Sequence, residues 1–223
     1  MTTRHPKTTL AGVIFAILSA VITLPVHAAE PVELVEGAIN RVLDTLRADE
    51  SRAAAEPDFV LGVIEEEIMP LVDFDGMARL ILARHWRDAS TEQRERFTEA
   101  FRNTLLQAYG VRLADYLDRR VIMIPRRSRQ DDRMAVVATE IELGRGQSNV
   151  SVNYRLRPVS GEWKVFDVEA EGLSFVGNFR TQFNAEIGRH GLDSLIERLE
   201  AGDRSLIEEA VDEAVSERNA SGG

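Results

Sequence analysis

The strongest constraint in the chain is a change of hydrophobic period. In SNVSVNYRLRPV, Val150, Val152, Tyr154 and Leu156 alternate with Ser151, Asn153, Arg155 and Arg157. Successive side chains of an extended strand point to opposite faces, so this alternation specifies a strand with one buried and one solvated face. On both sides the period lengthens to that of a helix. Phe97, Phe101, Leu105, Tyr109, Leu113 and Leu117 step by four before the strand, and Phe175, Phe179, Phe183 and Ile187 do so after it. Residues three and four apart share one helix face. Three more segments have strand character: RRVIMIP, EWKVFDVEA, and RMAVVATEIEL with Ala135, Val137, Thr139, Ile141 and Leu143 on one side. The sequences GRGQ and VSGE supply turns between neighbours, which gives an antiparallel meander. Helices, four strands and again helices define an α+β class: a twisted four-stranded antiparallel sheet covered by helices.

Helix boundaries follow from local chemistry. Val32, Val35, Ile39, Val42, Leu43 and Leu46 predict an amphipathic helix after Pro31, and RADESRAAAEP reads as a polar link. Asp58 is the expected N-cap of FVLGVIEEEIM, which Pro70 ends because proline donates no backbone hydrogen bond. A short helix is expected through FDGMARLILA. Ser90 and Gln93 have capping-box spacing, so a helix should begin at Thr91, with Gly110 permitting a kink or a close contact. After the sheet the chain should return to helix at Ser174, break at Gly191 and resume from Asp193 to Leu199.

The ends suggest an exported protein. Arg4, His5 and Lys7 precede an uncharged, mostly apolar run from Leu10 to Leu24, closed by VHAAE. That is the pattern of a cleaved secretory signal peptide over residues 1–28. At 15 residues the run falls short of the roughly 20 that span a bilayer. Residues 29–200 then form the expected domain, and 201–223 a polar acidic tail. Residues 1–28 hold two basic and no acidic residues, so their removal takes the net charge from −10 to −12. Nucleic acid is an unsuitable partner for such a surface. The chain has no cysteine, so an exported form depends on apolar burial alone. Only His85 and His190 remain after the leader, which offers no metal-binding pattern.

Catalytic patterns are weak. Asp167, Glu169 and Glu171 alternate at the end of a strand and could serve general-base chemistry, with His85 as a second proton-transfer candidate. A solvated strand face and a structural histidine account for them more simply. No activated nucleophile or phosphate loop is present in the sequence. The arginine run from Arg126 to Arg133 contains its own acids and reads as an exposed loop, with an anionic partner as the alternative. By itself the phenylalanine ridge reads as ordinary core.

Two long stretches carry a family resemblance: FDGMARLILARHWRDASTEQRERFTEAFRNTLLQAYG and WKVFDVEAEGLSFVGNFRTQFNAEIGRHGLDSLIERL. Together they resemble the MlaC, or toluene-tolerance, family of periplasmic phospholipid-binding proteins, and they are also similar to its hopanoid-associated branch. The resemblance implies a sheet and helices that enclose an apolar pocket, with a bound phospholipid as cargo and no catalytic residue or cofactor. It implies a periplasmic shuttle, expected to be a monomer, between an outer-membrane lipoprotein complex and an inner-membrane ABC transporter with an MCE-domain protein. On this reading Phe101, Leu105, Tyr109 and Leu113 of one helix and Phe175, Phe179 and Phe183 of another face the sheet residues Val137, Ile141, Val150, Val152 and Tyr154 across the cavity. Phe166 and Val168 complete the expected lining, with Trp163 and Val165 as the alternative face of the fourth strand. The rival readings are a carrier of another lipid, such as a hopanoid, and an exported enzyme using Asp167 or His85.

Overall fold

A computed structural model describes residues 30–110, 119–144 and 148–207, with Tyr109 described by its backbone alone. The expected leader, Leu113, Leu117, most of the GRGQ turn and the end of the acidic tail lie outside these residues.

Helix α1 (Pro31–Ala48) opens with proline at its first position and buries the stripe Val35, Ala38, Val42 and Leu46. The segment expected to be a polar link contains α2 (Glu50–Ala55). Asp49 caps it by accepting the Arg52 backbone N–H at 3.2 Å, and Ala53 is buried, so a local cap and one apolar contact override the polar composition. In α3 (Pro57–Glu67) the cap position is Glu56, and Asp58 lies inside the first turn. Proline at N1 fixes the start two residues earlier than expected, and the Asp58 carboxylate favours the positive end of the helix dipole. A 3₁₀ turn (Met69–Leu71) follows, then α4 (Phe74–Leu82), α5 (Arg84–Asp88) and α6 (Thr91–Tyr109). The capping box at α6 is complete: Gln93 N–H donates to Ser90 Oγ at 3.1 Å and Ser90 N–H to Gln93 Oε1 at 3.0 Å. Gly110 serves close contact, because a Cβ there would stand 2.4 Å from Leu61 Cδ2.

Strand β1 (Arg120–Met123), the two-residue β2 (Arg129–Gln130), β3 (Ala135–Glu142), β4 (Val150–Val159), β5 (Glu162–Ala170) and the two-residue β6 (Leu173–Ser174) form one antiparallel sheet. Its order is β1-β3-β4-β5-β6, with β2 on β3, so the four expected strands gain two short ones. The VSGE turn places Ser160 (φ 52°) and Gly161 (φ 87°) in left-handed backbone, the requirement of a two-residue hairpin turn. Helices α7 (Phe175–His190) and α8 (Leu192–Glu200) break at Gly191, whose φ of 85° suits glycine.

Three apolar clusters result. The largest is wholly helical and joins α4, α6, α7 and α8. Leu206 and Ile207 are buried in it, so the packed body continues past residue 200 into the segment expected to be a polar tail. The second gathers α1, α2 and α3 around Leu106. The third sets Val35 of α1 against Ala135, Val137, Leu156 and Val165 of the sheet.

Candidate functional site

Register decides which strand residues share a face. Ala135, Val137, Thr139 and Ile141 of β3 pair with Leu156, Tyr154, Val152 and Val150 of β4. Met123 and Val121 of β1 pair with Thr139 and Ile141, and Val168 and Ala170 of β5 pair with Tyr154 and Val152. In β4 and the end of β5 these residues alternate with polar neighbours, while Ile122, Val136 and Ala138 intervene in β1 and β3; the face they share is almost entirely apolar. We call it the inner face; α1 covers one end of it.

The choice left open along β5 is resolved by a β-bulge. Arg155 pairs with Asp167 but Leu156 pairs with Val165, which leaves Phe166 as the extra residue. The alternation therefore resets, and Trp163, Val165 and Val168 all belong to the inner face. Phe166 does not: the guanidinium of Arg157, a residue of the opposite face, lies 5.6 Å from its ring centroid. Strict period-two counting could not place both halves of this strand.

Burial divides the inner face into a closed and an open part. Ala135, Val137 and Leu156 are essentially inaccessible, and Val152 and Val165 are buried. Met123, Ile141, Val150, Tyr154, Trp163 and Val168 are only half-buried. The Tyr154 hydroxyl is the polar feature of this surface. It bonds to the fully buried Thr139, and burial pushes the phenol up from its ordinary value, while the Thr139 contact acts in the other direction.

The phenylalanine ridge is elsewhere. Phe101 stacks parallel on Phe97 at 5.9 Å and meets Phe179 edge-on at 5.3 Å and Phe183 edge-on at 6.1 Å. These rings are at most 1 % exposed, and among the described residues no strand residue joins their cluster. Phe101, Phe179 and Phe183 thus fill the space between α6 and α7, whereas the expectation had them face Val150 across a hollow; two interdigitating aromatic ridges satisfy each other. Leu105 and Phe175 are half-buried at the margin of the same cluster. Tyr109's side chain and Leu113 lie outside the described residues. The sequence reading overlooked Met123 and the sheet-facing Val35, although Val121 and Met123 alternate and Val35 lies on the α1 stripe.

The opposite face fastens the sheet to the helices. Asp73 caps α4 by accepting Gly76 N–H at 2.9 Å and also receives Arg157 at 2.6 Å. Its own N–H donates to Val165 O at 2.8 Å, next to a parallel bridge between Val72 and Val165 that covers the edge of β5. A second carboxylate repeats the device at α7: Asp167 accepts Ser174 Oγ at 2.7 Å and Val176 N–H at 3.1 Å, with Arg155 at 3.7 Å. Asp167 is therefore committed to holding a helix start. His85 sits on α5 beside Arg84, and no contact among the described residues joins it to Asp167. The two alternative proton-transfer candidates considered from sequence, Asp167 and His85, thus lie in separate settings, the first of them bound to a helix start. Among the described residues no cluster of metal-ligating side chains occurs, and no helix is long and apolar enough to cross a membrane.

A family model described as MlaC protein matches residues 36–201. The chain belongs to the MlaC family. Among MlaC-like relatives, the toluene tolerance protein Ttg2D of Pseudomonas putida is 30 % identical over 181 residues, 81 % of this chain and 83 % of that one. The intermembrane phospholipid transport system binding protein MlaC of Haemophilus influenzae is 22 % identical over 83 % of this chain and 91 % of its own. The fold matches a Ralstonia solanacearum phospholipid-binding protein solved in complex with a phospholipid, with a TM-score of 0.70 and 26 % identity. That match covers 80 % of this chain and 99 % of the other.

Proposed function

We propose that this protein is a periplasmic phospholipid carrier that holds acyl chains against the inner face of its sheet. The observation that carries the reading is the half-buried apolar surface of Met123, Ile141, Val150, Tyr154, Trp163 and Val168. Apolar side chains on one continuous face gain free energy by leaving water, at about 25 cal/mol per Å² buried, and here burial is incomplete. A hydrocarbon ligand would complete it. The Ralstonia protein, solved with a phospholipid, and the Haemophilus transport protein support this assignment.

The physics suits a carrier better than an enzyme. Each buried methylene contributes about 0.8 kcal/mol, so the two chains of an ordinary phospholipid represent roughly 25 kcal/mol of apolar burial. Free passage through water is therefore negligible. A protein surface offering comparable burial makes exchange with a bilayer nearly balanced, and a partner then sets direction by differential binding. We infer a cleaved leader over residues 1–28 and a monomeric shuttle between an outer-membrane lipoprotein complex and an inner-membrane ABC transporter with an MCE-domain protein. The lipid is cargo and not a cofactor.

Native mass spectrometry of the purified protein, followed by lipid extraction, tests the reading. Discrete adducts of phospholipid mass are expected. Lipid-free protein that takes up no phospholipid from vesicles would overturn it.

A further inference from the structure

The arginine-rich segment after β1 has a second partner in the fold. Arg126, Arg127 and Arg129 converge with Arg155, Asn153 and Glu169 around a cleft of about 460 Å³. Arg155, Asn153 and Glu169 alternate with Tyr154 and Val168, so the cleft opens on the face opposite the apolar one. In a chain of net charge −10, four guanidiniums around one concavity form a local reversal of sign.

Partners decide which of these cations are available. Arg127 is engaged by Glu140 at 2.8 Å. Glu169 accepts Asn153 Nδ2 at 2.9 Å. The Arg155 guanidinium stands 3.7 Å from Asp167 and 3.5 Å from Glu169, beyond good hydrogen-bond length, so these acids orient it without consuming its donors. Arg126 and Arg129 are exposed and have no ion pair among the described residues. Three guanidinium forks with unspent N–H groups therefore face a volume within the usual range of ligand sites. A planar fork matches two oxygens of a phosphate. Glu169 and the nearby Asp167 penalise a second negative charge.

We propose that this cleft is a binding site for a singly charged phosphodiester, separate from the acyl-chain surface. Arg126 and Arg129 supply the accessible donors and Arg155 the fixed one. The same chemistry is offered by a soluble glycerophosphodiester and by a phospholipid headgroup displayed on a bilayer. The assignment does not depend on the carrier reading.

Calorimetric titration of the purified protein with glycerophosphoglycerol and with inorganic phosphate at pH 8, beside co-sedimentation with phosphatidylglycerol vesicles, tests it. Binding of the diester is expected, tighter than that of inorganic phosphate, and lost with added salt. Replacing both exposed arginines, Arg126→Ala with Arg129→Ala, should weaken it by about tenfold or more. The double variant should keep its unfolding midpoint and its co-purified lipid, which separates this site from the apolar face. Saturation by the soluble diester assigns a free ligand, whereas vesicle binding alone, lost in the double variant, assigns a bilayer headgroup. No binding in either arm, binding indifferent to the double variant, or a preference for the inorganic dianion each overturns the proposal.

Discussion

The helical body and the inner face of the sheet are both apolar, yet they are finished differently. Between α6 and α7 four phenylalanines lock together with centroids 5.3–6.1 Å apart and almost no exposure. Against the inner face of the sheet α1 is the helix that covers one end among the described residues, and side chains as large as Tyr154 and Trp163 keep part of their surface open. Two ridged helices can fill the grooves between them, whereas one helix crossing a broad sheet cannot cover all of it. Stability should therefore reside mainly in the first region and ligand capacity in the second.

The largest effect is expected from emptying the closed region. Phe101→Ala removes a ring in contact with Phe97, Phe179 and Phe183, and should cost about 3–5 kcal/mol in urea unfolding. The fraction of folded molecules carrying lipid should not change. A selective loss of lipid with full stability would reverse the roles of the two regions.

The junction between them comes next. Asp167→Ala deprives the start of α7 of its acceptor for Ser174 and Val176 and leaves Arg155 with less compensation, a loss of about 2 kcal/mol. Chemical denaturation of this variant checks the value. An unchanged midpoint would mean that the sheet and helices are held together by apolar contact alone.

A smaller cost in stability should separate the regions most clearly. Val168→Trp adds bulk where the inner face is half-open, so unfolding should shift by about 1 kcal/mol or less. Lipid recovered by extraction should nevertheless fall severalfold, because the indole occupies volume meant for hydrocarbon. Undiminished lipid in this variant would place the acyl chains elsewhere.

Much of this contrast can be read from the amino-acid order, but not all of it. The capping box at Ser90, the Ser160–Gly161 turn and the break at Gly191 are local devices, and each is written in adjacent residues. The class and the face that β3 and β4 share follow from the alternation of β4 and the spacing of Ala135, Val137, Thr139 and Ile141. The bulge at Phe166 is invisible to that counting, since one extra residue changes the face of everything before it. Spacing also could not show which surface a ridge would meet. Phe175, Phe179 and Phe183 are periodic whether they face a strand or another helix, and only the three-dimensional path makes α6 their partner. The cleft on the outer face was hidden for the same reason, because Arg155 joins the arginine run only across the sheet.

The smallest effect concerns the polar point on the open face. Burial raises the Tyr154 phenol above its ordinary value, so the folded protein favours the neutral form more than the unfolded chain does. Its contribution is then fully present below the unfolded value of about 10, and is lost as the pH rises from there through the folded value. The slope cannot exceed about 1.4 kcal/mol per pH unit for one proton, and at neutral pH it is nil. Tyr154→Phe keeps the ring on the inner face but removes the ionisable group and its bond to Thr139. Near pH 7 the variant should lose about 1 kcal/mol for that bond. Between pH 9 and 11 its stability should fall less steeply than that of the parent, so that the two unfolding curves converge. Parallel curves over that range would mean that the hydroxyl is reached by water, and that the open part of the inner face extends deeper than Val168.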